Sequence, residues 1–319
     1  MKAWRPKAAR ETFSPKVSVT SERPSRLRAT IKVLRPHQWS KNALVFVPVL
    51  LAPHGRTSFE LSHAALAAIA LSLCASAGYV FNDLMDVAAD RAHPTKRRRP
   101  FAAGDLPLGS GPPLLLALVV AAAGLSFYAL PLSFTAMLGL YLVITVAYSS
   151  YLKSKLLVDV IVLAWLYTQR VLAGGFASGV SISAWLLAFS MFIFLSLAFA
   201  KRYVELRHAL DENGKLRSRD YYAQDLPMLA SMGPTAGYLA VLVFCLYIES
   251  SAGTVVYSQP RLLWLICPVL LYWISRVWFL THRGEMDDDP VRFAIADRQS
   301  WLCALAAGGV AAAARFWPT

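Results

Sequence analysis

The residues best suited to chemistry sit in the stretch 82–104, NDLMDVAADRAHPTKRRRPFAAG. It follows a long apolar run and opens with Asn82 and three carboxylates, Asp83, Asp86 and Asp90. Spacings of three and four put all three acids on one face of a helix, with Asn82 at its edge. Lys96, Arg97, Arg98 and Arg99 follow. Oxygen ligands hold Mg2+ and cations hold phosphate oxygens, so an acidic face running into a basic cluster suits a phosphorylated substrate. The basic run alone would read as an ordinary positive cytoplasmic loop. The acids decide against that, because carboxylates at the edge of a membrane span are expensive and usually functional.

Something must position this stretch, and composition says what. The chain has 319 residues, 56% hydrophobic and only 16% charged, with a mean hydropathy of +0.46. A soluble domain carries about 25% charged residues. Apolar runs of near-spanning length recur throughout, which predicts an all-α, polytopic membrane helical bundle. Spans are expected near 42–53, 61–83, 113–131, 134–151, 159–177, 183–200, 232–252, 261–280 and 301–316, nine transmembrane helices in all. Residues 1–28 lack an apolar core and predict a disordered basic cytoplasmic arm; 29–319 forms one catalytic domain. Trp39 lies in a basic amphipathic segment suited to the membrane interface.

Charge orients the bundle. Alternate segments, 1–41, 84–112, 152–158, 201–230 and 281–300, hold 27 Lys and Arg, whereas the intervening loops hold only Arg56. Positive loops stay inside, so the N-terminus and the candidate site face the cytoplasm and the C-terminus lies outside. The net charge of +13 thus reflects topology, and no nucleic-acid partner is implied. Cys74, Cys245, Cys267 and Cys303 each fall in a predicted span without CxxC pairing, so neither a disulfide nor a zinc site is expected.

The remaining polar groups gather at the same mouth. Tyr148, Tyr151, Lys153 and Lys155 follow the fourth span, and Asp159 opens the fifth. Arg170, eleven residues on, shares the face of Asp159 at about 16 Å. That is too far for a pair, so each finds a partner on another helix or both line a polar cavity. Gly174 and Gly175 suit close packing. Lys201, Arg202 and Glu205 fit one exit helix, with Lys201 and Glu205 at i, i+4, a spacing equally suited to a solvated helix. Asp287, Asp288 and Asp289 read as a solvated loop, and Asp297–Arg298 as a cap or ion pair before the last span. No P-loop, GxGxxG or Ser-His-Asp arrangement is present. The acids cluster at one interface rather than along a pore, unlike a simple ion channel.

The pattern N-D-x-x-D-x-x-x-D at the end of the second of nine helices resembles the UbiA prenyltransferase superfamily, from about residue 30 onward. Blocks 35–42 (RPHQWSKN), 82–104, 148–153 (YSSYLK), 170–175 (RVLAGG), 201–206 (KRYVEL) and 289–298 (DPVRFAIADR) are similar to one branch, the decaprenyl-phosphate phosphoribosyltransferases. The wider superfamily carries a second DxxxD-type motif after the sixth span. Here Asp211 and Asp220 stand at the wrong spacing for one, which favours the branch.

The resemblance implies that a polyprenyl phosphate lipid attacks C1 of phosphoribosyl diphosphate and that pyrophosphate leaves. It assigns Asp83, Asp86 and Asp90 to Mg2+, with Asn82 beside them, and Lys96, Arg97 and Arg99 to donor phosphates. Lys41 would meet the lipid phosphate, and Tyr148, Lys153, Asp159, Lys201, Arg202 and Glu205 complete the mouth. It further implies a bacterial inner (plasma) membrane enzyme serving arabinan wall synthesis, and leaves room for a homo-oligomer. Two rivals stand beside it: a superfamily enzyme moving a prenyl group to an aromatic acceptor, and a lipid-phosphate carrier.

Overall fold

A computed structural model describes residues 25–52, 57–92, 95–208, 219–286 and 289–317. Among them there is no β-strand. Helix α1 (Arg26–Leu34) is capped by Ser25, whose Oγ accepts from the Arg28 amide at 3.4 Å, and buries Ala29 and Val33. Residues 26–28, expected in the arm, are helical, because the apolar stripe gives this helix something to pack on. Residues 1–24 of that arm, and Arg56, Asp211, Asp287 and Asp288, lie outside the described residues.

Arg35 turns the chain in the left-handed region, φ 51°, ψ 58°. A 3₁₀ helix, Pro36–Phe46, then runs into α2 (Val47–Leu51). So long a 3₁₀ run needs outside support. It comes from close backbone contact: a Cβ on Gly174 would lie 2.0 Å from the Val45 carbonyl oxygen.

The long helices follow. Helix α3 (Ser58–Met85) opens with a capping box, the Glu60 amide donating to Thr57 Oγ1 at 3.2 Å and the Thr57 amide to Glu60 at 3.1 Å. Short α4 (Val87–Ala92) and α5 (Pro100–Ala103) build the connection between α3 and the next long helix. Then come α6 (Gly111–Ala129), α7 (Leu132–Ser150), α8 (Val158–Ser178), α9 (Ala184–His208) and α10 (Leu226–Glu249). Helices α11 (Ser251–Val256), α12 (Ile266–Arg283), α13 (Pro290–Ala296) and α14 (Arg298–Phe316) complete the chain.

Seven of the described helices, α3, α6–α10 and α12, are long and apolar enough to cross a membrane. The predicted first and ninth spans are helical too, but stand outside that seven: the first is split between the end of the 3₁₀ helix and the short α2, and α14 is less apolar. Helix α8 is the hub. One face joins a core with α9, α10 and α12, and the other joins a core with α2, α3 and α7. Leu116, Val120, Phe127 and Val143 on α6 and α7 stay exposed, as faces turned to lipid must.

Candidate active site

The acidic stretch does not run as one uninterrupted helix. Helix α3 stops at Met85, Asp86 caps it at φ −94°, ψ 6°, and α4 resumes at Val87. Asp83 is only 1% exposed. It accepts from Arg35 Nη2 at 2.5 Å and lies 3.1 Å from Arg99 Nη1. The same Arg99 nitrogen donates to the buried Asp90 at 2.7 Å. Asp86 faces Lys153, whose Nζ reaches both carboxylate oxygens at 3.1 Å and Asn82 Oδ1 at 3.5 Å.

The four predicted acidic-stretch residues are thus gathered into a charge-balanced set, but the three carboxylates do not meet at one point. Asp83 and Asp90 share Arg99, while Asp86 turns to Lys153. Among the described residues no three side chains of the types that bind metals come together. Carboxylates this buried repel unless cations separate them. One feature still invites a cation: Asp83 Oδ2 is buried without a hydrogen-bond partner.

A second ion network lies alongside. Asp159 and Arg202, both 0% exposed, approach to 2.5 Å as an ion pair without hydrogen-bond alignment. Arg202 also pairs with Glu205. Tyr221 donates to Asp159 Oδ1 at 2.7 Å and accepts from the Leu157 amide at 3.1 Å. Leu157 holds φ at +62° to make that bond at the start of α8, a conformation that costs a side-chain-bearing residue roughly 1 kcal/mol. Arg219 ties the whole together. It donates to Tyr148 Oη at 3.2 Å and the Lys153 carbonyl at 3.1 Å, and lies 3.5 Å from Asp159 and 3.6 Å from Glu205.

Tyr148, Lys153, Asp159, Arg202 and Glu205 are therefore joined in one network. The Lys96 and Glu205 charges act on each other, linking the basic loop to this network. Lys201 stands 4.0 Å from Glu205, farther than Arg202. Arg97 lies exposed on the same turn as Lys96.

Lys41 is buried and pairs with Asp289. The expectation of a solvated loop is corrected at Asp289: its side chain is only 15% exposed. Burial pushes its carboxyl up, and Lys41 and Lys201 outweigh that and hold it below the ordinary range. Arg170 is buried and bonded at every turn, to Asn42 Oδ1 at 2.9 Å, Tyr141 Oη at 3.0 Å and the Leu166 carbonyl. Asn42 in turn donates to Ser72 Oγ at 2.8 Å. Arg170 and Asp159 each found a partner on another element, so Arg170 pins the 3₁₀ segment that carries Lys41.

Sequence reading missed Arg35, Arg219, Tyr221 and Asp289 as site residues. Arg35 and Asp289 sit within the matched blocks, at the edges of helices. Arg219 and Tyr221 lie in the connection between α9 and α10, where no periodicity points to them.

At the other end of the bundle a cavity of about 480 Å³ is lined by apolar side chains, including Leu51, Phe189, Phe244 and Ile266.

Comparison with known proteins accounts for this arrangement. Residues 43–313 match the model of the UbiA prenyltransferase family. The chain is 36% identical to the uncharacterized protein y4nM of Sinorhizobium fredii over 89% of its own length, but spans only 55% of that relative. It is 37% identical to nodulation protein NoeC of Azorhizobium caulinodans over 85% of this chain and 88% of NoeC. To the decaprenyl-phosphate phosphoribosyltransferase of Mycobacterium tuberculosis it is 31% identical over 90% of this chain and 95% of that one. Its fold matches a UbiA homolog from Archaeoglobus fulgidus bound to DMAPP and Mg2+, with a TM-score of 0.66 at 15% identity, covering 89% of this chain and 99% of that one. A membrane bundle with its ionisable residues gathered at one mouth, matched from residue 43 to residue 313, belongs to the UbiA prenyltransferase family.

Proposed function

We propose that the chain transfers 5-phosphoribose from phosphoribosyl diphosphate to a polyprenyl phosphate lipid, releasing pyrophosphate. The observation that carries this reading is the cation-rich lining of the mouth. Arg35, Arg99 and Lys153 each hold an acid of the first motif. From the last turns of α9 onward, where a second acidic motif would stand, Arg202 and Arg219 hold Asp159 and Glu205. A donor with a diphosphate and a further phosphate suits more cations than a prenyl diphosphate requires. The similarity to the M. tuberculosis enzyme over nearly its whole length adds weight.

In this reading Mg2+ would be held first by the buried, unpartnered Asp83 Oδ2, and Asp86 and Asp90, with Asn82 adjacent, would join it only by giving up Lys153 and Arg99. When bound there, such an ion would supply charge neutralisation for the departing pyrophosphate. Lys96, Arg97 and Arg99 bind donor phosphates, and Lys41 the acceptor phosphate. Tyr148, Lys153, Asp159, Lys201, Arg202 and Glu205 frame the mouth. A phosphate monoester is already ionised at neutral pH, so no strong base is required. Positive charge develops on the ribose and negative charge on the leaving group, so fixed charges dominate the barrier. The apolar cavity and the lipid-facing helices give the prenyl tail an apolar path. The site faces the cytoplasm of a bacterial inner membrane, following the charge asymmetry of the loops.

The test uses purified protein in lipid with ribose-labelled phosphoribosyl diphosphate and polyprenyl phosphate. Label is expected in the lipid fraction. No label there, together with transfer of labelled prenyl from a prenyl diphosphate to an aromatic acid, overturns the proposal.

A further inference from the structure

Beside the acidic stretch lies a second cluster of charged side chains drawn from three distant parts of the chain. Lys41 comes from the 3₁₀ helix, Lys201 from the end of α9, and Asp289 from the residue that caps α13. Lys41 is 8% exposed, and its Nζ sits 5.8 Å from the centre of the Tyr167 ring. Asp289 is bonded through both oxygens. Oδ2 accepts from Lys41, and Oδ1 accepts from the Arg292 amide at 3.3 Å. The charge of Lys201 reaches Asp289, and that of Arg292 reaches His37 beside it. Helix α13 packs directly on α9.

Two lysines, Lys41 and Lys201, act on the single carboxylate of Asp289, while Arg292 offers it a backbone amide and keeps its side chain exposed. Glu205 does not offset the second lysine, being held more tightly by Arg202 than by Lys201. A buried lysine needs an anion. The one it has is the side chain of a helix cap, which holds its helix equally well as a neutral amide. Carboxylate and phosphate oxygens make the same charge-assisted bond to an ammonium group.

We propose that this cluster seats the phosphate monoester of the acceptor lipid, and that Asp289 is an internal counter-ion which the incoming phosphate displaces from Lys41. This rests on the phosphoribosyl-transfer reading for the identity of the acceptor, though not for the chemistry of the cluster. Asp289 is a positioning residue. It keeps Lys41 charged and in place when no lipid is bound, and its own negative charge opposes lipid entry.

The test measures binding of farnesyl phosphate to the full-length protein in nanodiscs without donor, with farnesol and inorganic phosphate as controls. Asp289→Asn keeps the cap and removes the competing charge, so farnesyl phosphate should bind about tenfold more tightly, the effect expected for one nearby charge partly screened by water. The acceptor KM should fall in parallel while the donor KM stays unchanged. Lys201→Met, which leaves the Lys41–Asp289 pair intact, should weaken binding about tenfold.

Unchanged or weaker binding in Asp289→Asn overturns the proposal. If that variant does not fold, unchanged binding in Lys201→Met overturns it. Inorganic phosphate competing as strongly as farnesyl phosphate overturns the assignment to a lipid. The two readings fail separately. Labelled ribose reaching lipid with acceptor binding unmoved by Asp289→Asn rejects the phosphate seat and spares the reaction. Tighter farnesyl phosphate binding without ribose transfer does the reverse.

Discussion

Asp83 shows what a single residue carries here. Its carboxylate is buried between Arg35 and Arg99, with one oxygen left over. Asp83→Asn removes the charge but little volume, and turnover should fall by about 100-fold or more, the cost of losing one preorganised electrostatic group. Its dependence on Mg2+ should flatten as well. A lipid-phosphate carrier would lose little, so retention of activity within about tenfold in the labelled-donor assay counts against the assignment. Asp159 and Arg202 make a different prediction, one of stability. Stripping either partner leaves an uncompensated buried charge, which costs roughly 3–5 kcal/mol. Asp159→Asn or Arg202→Met should therefore lower the thermal midpoint sharply, and the double variant should recover part of the loss.

At the scale of elements, the mouth depends on how closely the 3₁₀ helix lies on α8. A Cβ at position 174 would meet the Val45 carbonyl oxygen and carbon at 2.0 and 2.8 Å, both backbone atoms that cannot swing aside. Gly174→Ala should cost about 1–3 kcal/mol by overpacking. It should raise the acceptor KM more than the donor KM, because the displaced segment carries Lys41. Helix α14 is held by Asp297, which accepts from Arg276 at 2.6 and 3.1 Å and from the Ser300 amide at 2.8 Å. Burial pushes the Asp297 carboxyl up, and Arg276 and Ser300 outweigh it, so the folded pKa lies below the ordinary value. A depressed folded pKa stabilises above the unfolded value of about 3.9 and loses that stabilisation as pH falls through the folded one. Amide exchange in α14 should quicken below about pH 4, and Asp297→Asn should quicken it at neutral pH.

For the whole molecule, the decisive property is sidedness. Every ionisable group of the proposed site lies at one mouth, and the loops on that side hold nearly all the basic residues outside the spans. Arg97→Cys, on the exposed basic turn, should react with a membrane-impermeant maleimide in inside-out vesicles and not in intact cells. Tyr128→Cys, at the far end of α6 where the side chain is 88% exposed, should do the opposite. The reverse pattern would place the mouth outside and end the cytoplasmic reading. In the proposed reaction donor and acceptor also arrive by different routes, the sugar phosphate from water and the polyprenyl phosphate from lipid. Two charged clusters, one around Asp83 and Arg99 and one around Lys41 and Asp289, fit that division.

Much of this was legible along the chain because it depends on local spacing and on solvent. Long apolar runs have few choices in a bilayer, and Lys and Arg avoid translocation, so the helices, their order and the gathering of polar loops can be read residue by residue. The acids at 83, 86 and 90 stood out for the same reason. Only the tertiary structure decided which cation serves which acid. It broke the helix at Asp86 and split the trio between Arg99 and Lys153. It also took Asp289 out of an apparently solvated loop to neutralise Lys41, and Arg219 and Tyr221 out of a featureless connection to hold Asp159. Ion pairs between residues as far apart as Lys41 and Asp289 leave no period in the sequence; they form because packing brings charged groups where water cannot satisfy them.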